Sequence, residues 1–218
     1  MTPTPILLLG FEPFGGDTIN PAKELLTSCD LRIFPSQIHI AILPVDHQHV
    51  AQNLPRLLET HQPQLVIGWG LAAGESSLRL ERVGLNWLDF SIPDASGQQI
   101  RDQRLSPEAP DAYISDLPLR TAQNHLAKHG IPSVLSYTAG TYLCNQLLFT
   151  CLDFFAQRNA PRNACFVHLP LLPEMIATRQ ALRSPLPPSL SLSTLQAALP
   201  LLVNTLWNGV CALSSPED

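Results

Sequence analysis

Two residues in this 218-residue chain have the types and settings that nucleophilic chemistry needs: Cys144 and His168. Cys144 opens a helical pattern that follows the run Ser133-Val-Leu-Ser136 and a small-residue turn carrying Gly140. A thiol in the first turn of a helix meets unpaired backbone N–H groups and the positive end of the helix dipole. Both favour the thiolate, which is the reactive form. His168 stands near the end of the apolar run Ala164-Cys-Phe-Val-His168-Leu, ahead of Pro170. A histidine within reach can take the thiol proton and later protonate a leaving group, and a carboxylate beside it would orient the ring. Glu81 is a candidate for that carboxylate, although its alternating neighbours do not single it out. The ordinary alternatives are a buried cysteine acting as a small hydrophobe, a satisfied core histidine, and a surface ion pair between Glu81 and Arg79.

Other chemistry-bearing groupings are weaker. Asp46-His47-Gln48-His49 has metal-ligand types, but residues two apart on a helix point away from each other. His125 and His129 have the spacing of a zinc helix, yet Leu126 replaces the glutamate of the metalloprotease motif. Gly10, Gly15 and Gly16 match neither dinucleotide-binding nor P-loop spacing.

The elements that must position Cys144 and His168 read as an α/β chain. Ile6–Gly10 is a continuous apolar run suited to a strand buried on both faces. It ends in Phe11-Glu-Pro-Phe14-Gly-Gly16, and Asn20 with Pro21 opens a helix through Ser28. Residues 37–43 predict a strand, Asp46 caps a helix to about Glu59 with a bend at Pro55, and Leu65–Gly70 is another buried strand. Ser77–Asn86 alternates with period two, the mark of one half-exposed strand. Residues 91–118 form a long irregular stretch of the kind that makes lids and binding loops. Helices follow from Leu117 to His129, with Gly130 past the end, and from Cys144 through Phe155. Residues 184–190 read as a Pro/Ser loop. Ser193 with Gln196 predicts a capping box for a last helix that Pro200 should kink or split. Strand and helix alternation then gathers the strand ends near residues 10, 70, 138 and 168 on one sheet edge, where Cys144 and His168 can meet.

Composition sets the class. Hydrophobic residues are 45%, charged residues 14%, and net charge is −5, so a folded core is expected and a basic footprint for nucleic acid is absent. The 21 prolines are spread over element ends, which reads as turns. Five cysteines without paired spacing imply neither a disulfide framework nor a zinc ribbon. With no run of about 18 apolar residues and no cationic leader pattern in Met1–Pro5, the expectation is one cytoplasmic domain over residues 1–218, with no membrane partner.

Five blocks in order carry a resemblance: Gly10-Phe-Glu-Pro-Phe-Gly-Gly16 with Asn20-Pro21, Glu81-Arg-Val-Gly-Leu-Asn86, Ile92-Pro-Asp94, Thr138-Ala-Gly-Thr-Tyr-Leu-Cys-Asn145 and Val167-His-Leu-Pro170. Together they resemble the signatures of the pyrrolidone-carboxylate peptidases (pyroglutamyl peptidase I), over nearly the whole chain. The resemblance implies a cysteine peptidase acting on N-terminal pyroglutamyl peptides, with catalytic Cys144, His168 and Glu81. It implies a three-layer α/β/α sandwich around a mostly parallel, mixed sheet, a possible homo-tetramer, and no metal or cofactor. Phe11, Phe14, Tyr142 and Leu143 match positions bordering the pyroglutamyl ring, and Asn20 and Leu71 complete the expected substrate-binding set. One departure stands out: the family usually has Arg before Ile-Pro-Asp, and this chain has Ser91. A missing cation near developing negative charge can cost about 10²- to 10³-fold, which leaves a weak or inactive lactam-binding relative as the alternative. A nucleoside-phosphorylase-like enzyme is disfavoured by the lack of an arginine-lined phosphate site.

Overall fold

The computed structural model describes residues 6–177 and 185–213. In chain order the elements are β1 (Ile6–Phe11), α1 (Pro21–Thr27), β2 (Ile38–Leu43), α2 (His47–His61), β3 (Leu65–Leu71), β4 (Leu78–Glu81), β5 (Val83–Leu85), β6 (Ala112–Ile114), α3 (Leu119–Lys128), β7 (Ser133–Ser136), α4 (Leu143–Ala156), β8 (Ala164–Leu169), α5 (Pro173–Ala177) and α6 (Leu192–Leu213).

Six strands form one mixed sheet in the order β2-β1-β3-β8-β4-β7, and β5 with β6 forms a separate two-stranded ribbon. β1 shows why its apolar run is unbroken. Ile6 and Leu8 point into a core shared with α1, α3 and α6, while Leu7, Leu9 and Phe11 point into a second core shared with α2 and α4. A strand covered on both faces gains burial from every residue, about 1.5–3 kcal/mol for each large aliphatic side chain. The result is the expected α/β/α sandwich around a mostly parallel sheet.

Local caps fix where the helices begin. Asn20 Oδ1 accepts from the Ala22 N–H at 2.9 Å, with Pro21 in the first turn of α1. Asp46 Oδ1 accepts from the His49 N–H at 2.8 Å at the start of α2. The cap of α6 differs from expectation: Ser191, two residues before Ser193, accepts from the Thr194 N–H at 3.2 Å. α6 continues through Pro200 as one helix, packed along its length by Leu195, Leu199, Leu202 and Leu206. Residue 184 and Met1–Pro5 lie outside the described residues. Residues 185–190 carry a bridge from Ser189 to Leu171.

Three further expectations need correction. The alternating run from Ser77 to Asn86 is two strands: it breaks at Arg82, and β5 leaves the main sheet to pair with β6. β6 itself lies inside the stretch expected to be irregular, and the loop before it is pinned. The buried Asn86 donates to Ser106 O at 2.7 Å and accepts from the Ser106 N–H at 2.8 Å. Finally, β4 runs antiparallel to β8 and β7 runs parallel to β4. The carboxyl end of β7 therefore points away from the edge where β1, β3 and β8 end, and residues 137–142 carry the chain back. Strand direction depends on connections that hydrophobic pattern does not encode.

Candidate active site

The Cys144 helix is placed by its neighbours. Its N-terminal turn follows Gly140, whose φ of 76° belongs to the left-handed region that glycine enters at little cost. Tyr142 is the N-cap and gives no side-chain hydrogen bond to the first turn, so no capping side chain covers the N–H groups beside Cys144. The next two side chains anchor the helix. Asn145, fully buried, accepts from the Leu85 N–H at 2.7 Å and donates to Leu85 O and Trp87 O, both at 2.9 Å. Gln146 donates to His47 O at 3.1 Å, and its Oε1 lies 3.0 Å from His47 Nδ1.

β3 makes room for the sulfur. A Cβ at Gly70 would lie 2.7 Å from the Phe166 ring and 3.4 Å from Cys144 Sγ. Glycine at this strand end lets α4 bring its thiol against the sheet.

On β8, His168 lies close enough to Cys144 for the sulfur to act on its charge, and its Nδ1 donates to Glu81 Oε1 at 2.9 Å. Glu81 has no exposed side-chain surface and His168 only 11%. Burial works against charging the imidazole, but the sulfur of Cys144 and then the Glu81 carboxylate outweigh it and raise the His168 pKa to about 9. Burial also opposes a charged Glu81. The hydrogen bond from His168, with help from Ser136 and Arg79, prevails and holds its pKa below the usual carboxylate value. The surface ion pair expected for Glu81 is thus a buried one, because Arg79 reaches in from the same strand to Oε1 at 3.2 Å.

Beside Cys144 is a cavity of about 120 Å³. Phe11, Phe14, Asn20, Leu71, Tyr142 and Leu143, the six residues expected to bind substrate, all line it, and so does Cys144. Asp17, Ile19, Val45 and Gly70 line it as well. Of these, Asp17 and Ile19 fall between the two parts of the first matched block, Gly70 precedes Leu71, and Val45 follows a strand end with no chemical signal of its own. Phe14 and Tyr142 face each other with ring centroids 6.3 Å apart, while Phe11 is buried against Phe166 at 6.5 Å.

Burial first, then Asp94 and Cys144, push the Tyr142 phenol up to about 12, so it keeps its proton and donates to Pro93 O at 3.1 Å. That bond ties the cavity wall to the loop 90–98. Asp94 organises this loop: Oδ1 accepts from the Ser96 and Gln98 N–H groups, and Oδ2 accepts from the His47 N–H at 2.9 Å. Ser91 is exposed on the same loop, outside the cavity lining. Gln99 Nε2 donates to Ser91 O and Phe90 O, each at 3.0 Å.

The motifs set aside have structural partners. His47 belongs to the Asp94 and Gln146 contacts, and His125 Nδ1 lies 2.8 Å from Thr205 Oγ1. Among the described residues no helix is long and apolar enough to cross a membrane.

Comparison with known proteins agrees with the geometry. A family model described as pyroglutamyl peptidase matches residues 4–208. A pyrrolidone-carboxylate peptidase of Thermococcus litoralis is 37% identical over 199 residues, covering 91% of this chain and 90% of that protein. One from Bacillus subtilis is 34% identical over 197 residues, covering 89% and 88%. The solved pyrrolidone carboxyl peptidase from Thermococcus litoralis superposes with a TM-score of 0.91 at 34% identity, covering 99% of this chain and 98% of that one.

Proposed function

This chain belongs to the pyroglutamyl peptidase family, and from that membership we propose a cysteine omega-peptidase that removes N-terminal pyroglutamyl residues through a thioester acyl-enzyme. The observation that carries this reading is the Glu81, His168 and Cys144 relay opening onto a small apolar cavity.

In the proposed reaction the Cys144 sulfur adds to the carbonyl carbon that joins the pyroglutamyl ring to the next residue. The oxyanion is met by backbone N–H groups of the first turn of α4, which no capping side chain occupies. The C–N bond breaks as His168 gives its proton to the departing amine, leaving a thioester. Water then attacks the thioester carbonyl, His168 takes the proton from that water, and pyroglutamate leaves the sulfur. Glu81 holds the ring through Nδ1, so the other nitrogen serves the reacting atoms.

The walls suit the ring. Phe14 and Tyr142 offer flat apolar faces to a neutral lactam, while its N–H and C=O need polar partners in the cavity. Proline lacks the lactam carbonyl and would leave such partners unpaired, a penalty worth roughly 10⁴-fold in discrimination. The alternative of an inactive relative finds no support among the homologues, and the three reacting or orienting residues are all present here.

Finer points belong to the same proposal. The described cysteines carry no disulfide, which suits a cytoplasmic enzyme. Exposed Val134 and Tyr137 at the β7 edge offer apolar surface that a homo-tetramer would cover. The family match over most of the chain suits a single domain.

The test is turnover of a pyroglutamyl-coumarin amide by wild type and Cys144→Ala. Wild type is expected to release coumarin and the variant to fall to background. Equal rates would sink the peptidase reading.

A further inference from the structure

The Glu81 carboxylate is held from two sides, and only one of them belongs to the relay. Oε1 accepts from His168 Nδ1 at 2.9 Å and from Arg79 Nε at 3.2 Å, whereas Oε2 is buried without a partner at hydrogen-bond geometry. A buried carboxylate with one unserved oxygen gains by turning or by taking up a proton, unless something fixes it. Arg79 is built to do so. Its Nη1 donates to Glu75 Oε1 at 3.0 Å and its Nη2 to Ser136 Oγ at 2.7 Å, so the guanidinium fork is locked in orientation by β7 and by the loop after β3. Arg79 also stands opposite His168 in the antiparallel pairing of β4 with β8.

We propose that Arg79 is a positioning residue for the peptidase reaction: its fork keeps Glu81 Oε1 on His168, and its charge remains the counter-ion of that buried carboxylate while His168 is neutral. The inference rests on the peptidase reading. In that reading His168 surrenders its proton to the leaving amine, and at that moment the imidazolium no longer balances Glu81. The charged and titratable groups facing this centre are Arg79 from β4, His168 from β8, Cys144 from α4 through His168, and Glu75 through Arg79. With Arg79 gone, the buried Glu81 carboxylate would face only the neutral Nδ1–H of His168 and would take up a proton from solvent at a higher pH. A protonated Glu81 no longer holds Nδ1–H firmly, and the ring is then a poorly oriented base for the water that attacks the thioester.

The test compares Arg79→Met and Arg79→Lys with wild type. Arg79→Met is expected to lower kcat about tenfold with KM within about twofold, and to move the acid limb of the pH profile up by about one unit. Arg79→Lys, which keeps the charge and loses the fork, is expected to return the limb to its wild-type position while recovering only part of kcat. Arg79→Met with wild-type kcat and limb, or Arg79→Lys displaced as far as Arg79→Met, would overturn the proposal. Should Arg79→Met give no cooperative melt, Glu75→Gln decides: it frees the guanidinium and is expected to move the limb down, and an unmoved limb would overturn the proposal. Rates of iodoacetamide alkylation of Cys144 against pH, read by mass spectrometry, report the same shifts without turnover. A wild type that does not hydrolyse the amide therefore condemns the peptidase reading alone, while alkylation profiles unchanged by Arg79→Met condemn the role of Arg79.

Discussion

Asn145 and Leu85 exchange hydrogen bonds as two strands would: the Leu85 N–H donates to Asn145 Oδ1 at 2.7 Å, and Asn145 Nδ2 donates back to Leu85 O at 2.9 Å. The side chain next to Cys144 thus stands in for a missing strand beside β5.

Asn145→Ala should therefore cost stability and activity together. It strips partners from partly buried backbone groups of Leu85 and Trp87, each loss costing about 1 kcal/mol or more. Chemical denaturation should show a loss of about 3 kcal/mol, with kcat reduced because the first turn of α4 loses its anchor. A variant as stable as wild type would contradict the anchoring role.

Thiol reactivity should separate the five cysteines. Burial raises the thiol pKa of Cys165 to about 12 and that of Cys151 further, and burial with Asp30 raises that of Cys29. Iodoacetamide at neutral pH should label Cys144 first, then the exposed Cys211, and leave Cys151 and Cys165 unlabelled until the protein unfolds. Peptide mapping that finds Cys211 labelled as fast as Cys144 would show that the relay does not activate its thiol.

His168 should stay protonated well above the usual imidazole range. Its pKa of about 9 is reached because Cys144, more than Glu81, overcomes the burial that pulls the other way. NMR titration of labelled imidazole should thus place the wild-type midpoint near 9 and bring it down in Cys144→Ala. An unchanged midpoint would mean that Glu81 alone sustains the charge.

Asp94 links pH, loop order and the cavity wall. Burial raises its pKa, but the His47, Ser96 and Gln98 hydrogen bonds outweigh burial and leave it lowered. A lowered carboxyl pKa means stability that is present above the unfolded-state value, about 4, and lost as pH falls through the folded-state value. Asp94→Asn should flatten that acid-side loss. It should also raise KM severalfold, since Pro93 O is the acceptor for Tyr142. A wild-type KM would show that the Tyr142 wall does not depend on this loop.

Much of this arrangement was legible from sequence because its signals are local. Asn20-Pro21 writes its own cap, the Ile6–Gly10 run writes a strand covered on both faces, and the matched blocks carried Cys144, His168 and Glu81 together with the cavity walls. What was not legible depends on distant partners. Period two continues past Arg82, so nothing local announces that β5 departs for another sheet. Arg79 beside Glu81 reads as a surface pair until β7 and β8 enclose them. The direction of β7 follows from how residues 137–142 return to the edge, and Val45 joins the cavity only through the pairing of β2 with β1. Ser193 has its capping-box partner Gln196 in the sequence, yet Ser191 is the residue that accepts from the first turn of α6.

On the proposed relay, the pairing of β4 with β8 makes enzymatic activity a gauge of strand register. Glu81 pairs with Phe166 and Arg79 with His168 on adjacent strands of opposite direction. A slip of one rung would turn every β4 side chain to the other face, offering Leu80 or Arg82 where the carboxylate belongs. The sheet edge could then close over a peptidase with no orienting group. A chain that has not finished assembling this edge is thereby an inert one, and hydrolysis begins only when residues 87 positions apart have found each other correctly.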